Sequence, residues 1–474
     1  MSENSERPAV DAPPAAANTQ ALPEIGAELF QDIGDDRVIP RKQVASWALW
    51  DWSTQPFNSV LLTFVFGPLF ITSTHFLPPD VASLPEGDPV QVHALAELAS
   101  GYGLATTIAG FLILVLAPVL GQQADRTGRK KRWLFVFTML LVLLQFSLFF
   151  TQADPIFFWY GAGILAIASV VSEIAGVNYN AMLVQVSTPR TIGRVSGLGW
   201  GLGYFGGIVA LAVIVVLQLT GVFDLSAGGD GLSFRIIAVA CGVWTLVFSI
   251  PLFLNVPEQP TYGEPVKVPF FQSYVVLVKD VVRLYRTHRS TFWFLFASAI
   301  YRDGLAGVFA FGGVLAAVAF GFSPTEVILF GIAGNVVAGI STISAGRADD
   351  RFGARTVIIV ALAGLVVVSL VVFFGYGTGQ LVFWIGGLIL ASFVGPAQAS
   401  SRSLLARVTP LGMQGEIFGL YATTGRVASF ISPAMWTLFI TIFGATIWGV
   451  LGIAIVILAG LILLLFVRLP KQVE

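Results

Sequence analysis

Charge is what this sequence has least of. Of its 474 residues only 11% are Asp, Glu, Lys or Arg, against 56% hydrophobic. A water-soluble domain carries about 25% charged residues, so a fold wetted on all sides is excluded and lipid is the implied solvent. The net charge of −1 and the scatter of the cations leave no basic face for a nucleic acid. Cysteine occurs once, at Cys241 inside an apolar run, which excludes an intrachain disulfide and leaves the redox compartment unread. The three histidines, His75, His93 and His288, are too scattered to share a metal. No Ser-His-Asp or Walker-type arrangement stands in a polar stretch. A signal peptide is missing too: the first apolar run begins near Val44, behind a tail over 1–43 rich in Ala, Pro, Glu and Asp, read as disordered and cytoplasmic.

What the sequence has in abundance is apolar runs. Twelve are long enough to cross a bilayer core, which takes about 20 residues each. They lie near 44–72, 98–121, 132–152, 156–185, 194–219, 234–255, 291–319, 325–345, 356–375, 380–402, 415–442 and 444–468. The reading is an all-α membrane protein. Lys and Arg gather before the first run and after the second, fourth, sixth, eighth, tenth and twelfth, whereas 73–97 holds Asp80, Glu86, Asp88 and Glu97 without a single cation. This asymmetry predicts that both termini are cytoplasmic.

Between the second and third runs stands Gly121-Gln-Gln-Ala-Asp125-Arg126-Thr-Gly128-Arg129-Lys130-Lys131-Arg132, and Gly346-Arg-Ala-Asp-Asp350-Arg351-Phe-Gly353 repeats it after the eighth. The register is constant, since 346 − 121, 350 − 125, 351 − 126 and 353 − 128 are all 225. Two copies in step predict an internal duplication into two pseudo-symmetric six-helix bundles, 44–256 and 291–474. The joining segment, 257–290, opens with prolines. It then predicts an amphipathic helix on the inner leaflet, with Lys279, Arg283 and Arg286 on one face and Tyr274, Leu277, Val278, Val281 and Tyr285 favouring the other. Gly201, Gly203 and Gly206 spell a dinucleotide fingerprint, but no strand precedes them. Gly199, Gly203 and Gly207 predict a helix-packing face instead.

This layout, with the repeated Gly-x3-Asp-Arg-x-Gly element, resembles the major facilitator superfamily over about 44–470. Trp47-Ala-Leu-Trp50-Asp51-Trp52-Ser53 with Phe57-Asn58-Ser59, Tyr301-Arg302-Asp303-Gly304 and Gln398-Ala-Ser-Ser-Arg402-Ser403 resemble its vacuolar amino-acid effluxer-like branch. The resemblance implies that the first helix of each half, carrying Asp51 and Asp303, lines a central cavity. It also implies that the Asp125 and Asp350 elements, with Gly121, Arg126, Gly128, Arg129, Gly346, Arg351 and Gly353, stabilise closure of the cytoplasmic side. Asp125 would then face the start of the eleventh run and Asp350 the start of the fifth. The cations Arg129 to Arg132 are expected to act as a topology anchor on anionic lipid.

Charge inside an apolar run costs about 2.5–3.5 kcal/mol on insertion scales, so each such residue needs a partner or a use. Asp51, Glu173, Arg302, Asp303 and Arg426 qualify, with Asp303 and Glu173 counted near the midplane and Asp51 in the inner third. Arg402 is expected to snorkel to the surface. Asn58, Asn178, Tyr179, Asn180, Asn335 and Gln398 offer neutral hydrogen bonds to a solute or to neighbouring helices. Asp303 is the expected proton site, with Arg302 holding a substrate carboxylate or pairing with Glu173. The function these features predict is secondary transport of a small polar solute, an amino acid or similar zwitterion, by alternating access and with no cofactor. Protons and membrane lipids are the further partners, and a bacterial inner (cell) membrane is the location. A proton-coupled drug or metabolite exporter and a non-transporting receptor or scaffold are the alternatives, the latter having no need of central unlike charges.

Overall fold

The computed structural model describes residues 38–85, 88–223, 230–258, 269–322 and 324–468. The expected tail up to position 37 and residues 259–268 of the linker lie outside them. Among the described residues twelve helices are long and apolar enough to span a membrane, and the chain is an all-α, multi-pass membrane protein. Spans 1 to 6 run Arg41–Ile71, Pro89–Thr127, Lys130–Phe150, Pro155–Ala181, Ile192–Leu219 and Leu232–Asn255. A linker helix, Phe270–Thr287, follows. Spans 7 to 12 run Arg289–Val314, Leu329–Phe352, Ala354–Phe374, Gln380–Val408, Gln414–Phe443 and Trp448–Phe466. Large apolar side chains around the outside stay uncovered, among them Leu143, Trp159, Val216, Val247 and Val367, as lipid-facing surface requires.

Spans 1 to 6 pack among themselves, and so do spans 7 to 12. The two bundles meet where span 2 lies along span 11 and span 5 along span 8. Glycine makes both seams close. Gly193, Gly197 and Gly201 of span 5 meet Gly346, Thr342 and Ile343 of span 8, and Gly121 meets the backbone of Gly415. A second face of span 5, the expected Gly199, Gly203 and Gly207, lies on Trp47, Asp51, Gln55 and Ser59 of span 1, with Gly206 on Trp52 beside it. The described seam contacts run from Gly121–Gly415 and Gly193–Gly346 as far as Leu114–Thr423 and Phe205–Gly339. All of them lie toward the side that carries the repeated Gly-Asp-Arg-Gly elements, called the basic side below.

Two irregularities shape the interior. Span 1 changes to π winding over Phe57–Phe64 and Phe66–Ile71, with Val65 N–H reaching Val60 O and Thr72 N–H reaching Gly67 O. Pro56 and Pro68 have no N–H to give to an i→i−4 ladder, so the winding loosens there. The stretch that follows span 7, Leu315–Ala319, winds the same way. Span 11 is broken: one helix ends at Ala428 and the next begins at Ile431.

Candidate functional site

The repeated element is built alike in its two copies. Both begin as helix, and not as the loop expected between apolar runs: span 2 continues through Thr127 and span 8 through Phe352. Hydrogen-bonded partners from the other bundle carry the backbone past the polar residues until a glycine ends it. Gly128 (φ 62°) and Gly353 (φ 84°) adopt the left-handed region that only glycine enters cheaply. One turn earlier, each aspartate takes an amide from the other bundle. Asp125 Oδ2 accepts from the N–H of Glu416 (2.8 Å) in the first turn of span 11. Asp350 accepts from the N–H groups of Gly193 (2.7 Å) and Arg194 (3.1 Å) at the start of span 5. Helix N-termini carry orphan donors and a partial positive charge, so a carboxylate is the fitting cap.

Further polar groups complete both clusters. Lys130 Nζ sits 2.8 Å from Asp125 and donates to Gln414 Oε1 (2.9 Å). At 4% exposed it is a seam residue, not the lipid anchor expected of it; only its neighbours Arg129 and Arg132 stay exposed. Arg126 pairs with Asp280 of the linker helix (3.3 Å), and Gln122 Nε2 donates to both Asp280 (3.2 Å) and Glu416 (3.1 Å). Burial pushes the Asp280 carboxyl above its ordinary range, with Arg126 and Arg283 pulling it back. On the other seam Arg407 pairs with Asp349 at 2.8 Å, and Ser403 donates to the same carboxylate. Arg351 of the second copy lies over the Phe352 ring.

Deeper in the molecule two ion pairs join the bundles. Arg402 of span 10 reaches Asp51 of span 1 (3.3 Å) and donates to Asn180 Oδ1 (3.0 Å) and to the Ser196 hydroxyl (3.0 Å) and carbonyl (2.6 Å). Its guanidinium also lies over the rings of Trp47, Tyr179 and Trp200. The expected snorkelling does not occur, because this side chain points across the seam into the other bundle and is 4% exposed. Asp51 also accepts from the Tyr179 hydroxyl (3.2 Å) and stays 22% exposed. The second pair, Glu173 of span 4 with Arg426 of span 11 (3.3 Å), is more open, at 36% and 44% exposure.

The other candidates, Gln398 excepted, make their described contacts within their own bundle. Arg302 donates to Tyr421 O (2.8 Å) with its guanidinium 3.5 Å from the centre of that ring; it is not the partner of Glu173. Asp303, 6% exposed, accepts from the Ser432 N–H (2.6 Å) and so caps the second segment of broken span 11. Asn178 donates to Ile174 O one turn back, Asn335 to Gly331 O likewise, and Gln398 accepts from Tyr204 across the seam (3.4 Å). Asn58 lies in the π-wound stretch of span 1. Among the described residues no cluster of His, Cys, Asp and Glu is arranged to hold a metal.

Two six-helix bundles meeting at charged, glycine-lined seams define the class: this is an integral membrane protein of the major facilitator superfamily. The transporter FucP in its outward conformation superposes with a TM-score of 0.65 at 14% identity, covering 91% of this chain and 99% of that one. Human organic anion transporter MFSD10 gives 0.67 at 14%, covering 90% and 99%. Within the superfamily the chain belongs to the vacuole effluxer Atg22-like family, which it matches over residues 40–474. The uncharacterized MFS-type transporter YxiO of Bacillus subtilis (strain 168) is 30% identical over 435 residues, covering 90% of this chain and 95% of that protein. Autophagy-related protein 22 of Cryptococcus neoformans is 27% identical over 263 residues, 52% of this chain and 47% of that one. Similarity to the fungal protein thus spans about half its length.

Proposed function

We propose that this protein moves a small zwitterion, an amino acid or a close analogue, across a bacterial cell membrane by alternating access, with the basic side toward the cytoplasm. The observation that carries the reading is the Glu173–Arg426 pair, an acid and a base from opposite bundles, each more than a third exposed. A zwitterion brings its own ammonium and carboxylate, so it replaces both members of that pair at once: the ammonium meets Glu173 and the carboxylate meets Arg426. Such an exchange exposes no unpaired charge to the membrane interior, which is the cost any polar solute has to avoid there. Arg302, fixed over Tyr421 five residues before Arg426, supplies a second cation behind the solute carboxylate.

With the solute seated, rocking of the bundles opens the basic side and separates Asp125 from span 11, Asp350 from span 5 and Asp51 from Arg402. Protonation of Asp51 neutralises the acid as Arg402 withdraws, which gives a route for coupling to a proton gradient. The structural neighbours FucP and XylE, a fucose:proton and a proton:xylose symporter, are consistent with such coupling. Organic anions are the second reading, since Arg302, Arg402 and Arg426 outnumber Asp51 and Glu173, while Asp303 is engaged at Ser432. Purified protein in proteoliposomes, offered labelled amino acids and organic anions with and without an imposed pH gradient, separates the readings. Zwitterion uptake that is lost in both Glu173→Gln and Arg426→Gln supports ours. Anion uptake with Glu173→Gln fully active, and no amino-acid uptake, refutes it.

A further inference from the structure

The linker helix buries one face against the protein and leaves another exposed. Ser273, Asp280 and Leu284 are buried, the first two against the basic end of span 2. Phe271, Val275, Val278 and Val282, at i, i+4, i+7 and i+11, form an apolar stripe that is 83%, 57%, 63% and 44% exposed. Beside that stripe Lys279 and Arg286 are exposed as well. The expected apolar face, Tyr274 to Tyr285, is thus divided: Leu277 and Val281 turn toward the protein side, and Val278 turns outward. An exposed apolar stripe edged by cations is the pattern of a helix lying at a bilayer surface, its apolar residues at the acyl boundary and its cations at the headgroups.

The same helix joins the two bundles. At its C-terminal end it runs into span 7 through His288, with Tyr285 against Phe292. On its buried face Asp280 holds Arg126 and Gln122 of span 2, and that same Gln122 amide holds Glu416 of span 11. Opening the basic side pulls span 2 away from span 11, and the Asp280 contacts resist it only while the linker helix stays in place.

We propose that the linker helix docks on anionic lipid of the leaflet at the basic side, and that this docking holds the basic side closed through Asp280. The stripe supplies insertion, Lys279 and Arg286 supply preference for negative headgroups, and Asp280 passes the anchorage to the seam.

The test uses the full chain with Cys241 replaced by Ala, in vesicles of phosphatidylcholine alone or mixed with an equal part of phosphatidylglycerol. A fluorophore at Val275→Cys reports depth through quenching by brominated lipid, and a spin-label pair across the basic side reports closure. Quenching that increases with phosphatidylglycerol, together with a larger closed population, is the expected result. Lys279→Glu with Arg286→Glu should lose the phosphatidylglycerol dependence of both readouts. Asp280→Ala, which removes the acceptor of the Arg126 and Gln122 bonds, should keep the quenching but lose the lipid response of the spin-label distance. A fluorophore that stays unquenched in both vesicles, or one shielded only by a second copy of the chain, overturns the docking. An Asp280→Ala protein that keeps the full lipid response of closure overturns the coupling.

Discussion

Taking an arginine and an aspartate out of water costs several kcal/mol per ion, and their attraction offsets this only when the remaining N–H groups and lone pairs are also satisfied. Arg402 meets that condition: Asp51, Asn180 and Ser196 take its protons, and three rings cover its faces. Arg402→Gln should therefore destabilise the closed seam by about 3 kcal/mol, the lower end for a broken buried pair because Asp51 keeps some water. The measurements are thermal unfolding and labelling from the basic side, and unchanged values in both would contradict the assignment. Asp51→Asn added to Arg402→Gln should restore part of the loss, since it removes the stranded charge. None of this was legible in the sequence. Asp51 and Arg402 stand 351 residues apart, so no spacing connects them, and depth counted along one helix does not tell which way a side chain points.

Asp303 makes the same point in reverse. Its burial was foreseeable from its depth, but its partner is the Ser432 amide, created by a break in span 11 that hydropathy does not register. Pro433, in the first turn after the break, was the available signal. Asp303→Ala leaves that amide without an acceptor and should cost about 1–2 kcal/mol, visible as a lowered unfolding temperature. Asp303→Asn still accepts the bond and should keep both stability and gradient-driven transport. A folded Asp303→Asn protein that no longer responds to a pH gradient would instead mark the carboxylate as the proton site.

At the scale of elements, closure depends on backbones that touch. A Cβ at Gly346 would lie 2.7 Å from the carbonyl oxygen of Gly193 and 2.9 Å from Arg194 Cα, and backbone cannot move aside as a side chain can. Gly346→Val should separate spans 5 and 8, so that a cysteine at Ser400, buried in the closed form, reacts with a water-soluble maleimide from the basic side. An unreactive Ser400→Cys in that background would show that the seam absorbs the methyl groups. The linker helix adds a pH response. Burial raises the docked Asp280 carboxyl above its free value, against the pull of Arg126 and Arg283, with Glu416 sharing the Gln122 amide. A raised docked value means that its contribution to docking is fully present below the free pKa and is lost as pH rises through the docked one. Mild acidification should thus slow hydrogen exchange over 270–287, after correction for intrinsic rates; faster exchange would contradict the sign. The amphipathic character of this helix could be read from its sequence. That Asp280 points into the seam could not, because an acid on the polar face of such a helix looks like any solvated one.

For the molecule as a whole, the features imposed by the bilayer were the legible ones. Span count and length follow from the hydrocarbon thickness, and twelve apolar runs became twelve spans. The duplication was legible too, because a constant register of 225 residues reflects one backbone device used twice: a glycine contact, a capping aspartate and a left-handed glycine. The pairing of the halves was legible only at Asp125 and Asp350, where the family resemblance implied it; the other contacts across the seam join residues that no local pattern relates. The central claim is that two bundles rock about a charged seam, closed here on the basic side. Pulsed spin-label distances answer it most directly, with one label pair across the basic side and one across the opposite side, recorded with and without a transported zwitterion in proteoliposomes. The account predicts reciprocal change: the basic-side distance lengthens as the opposite one shortens, in the same fraction of molecules. Two distances that stay fixed, or that lengthen together, would contradict it.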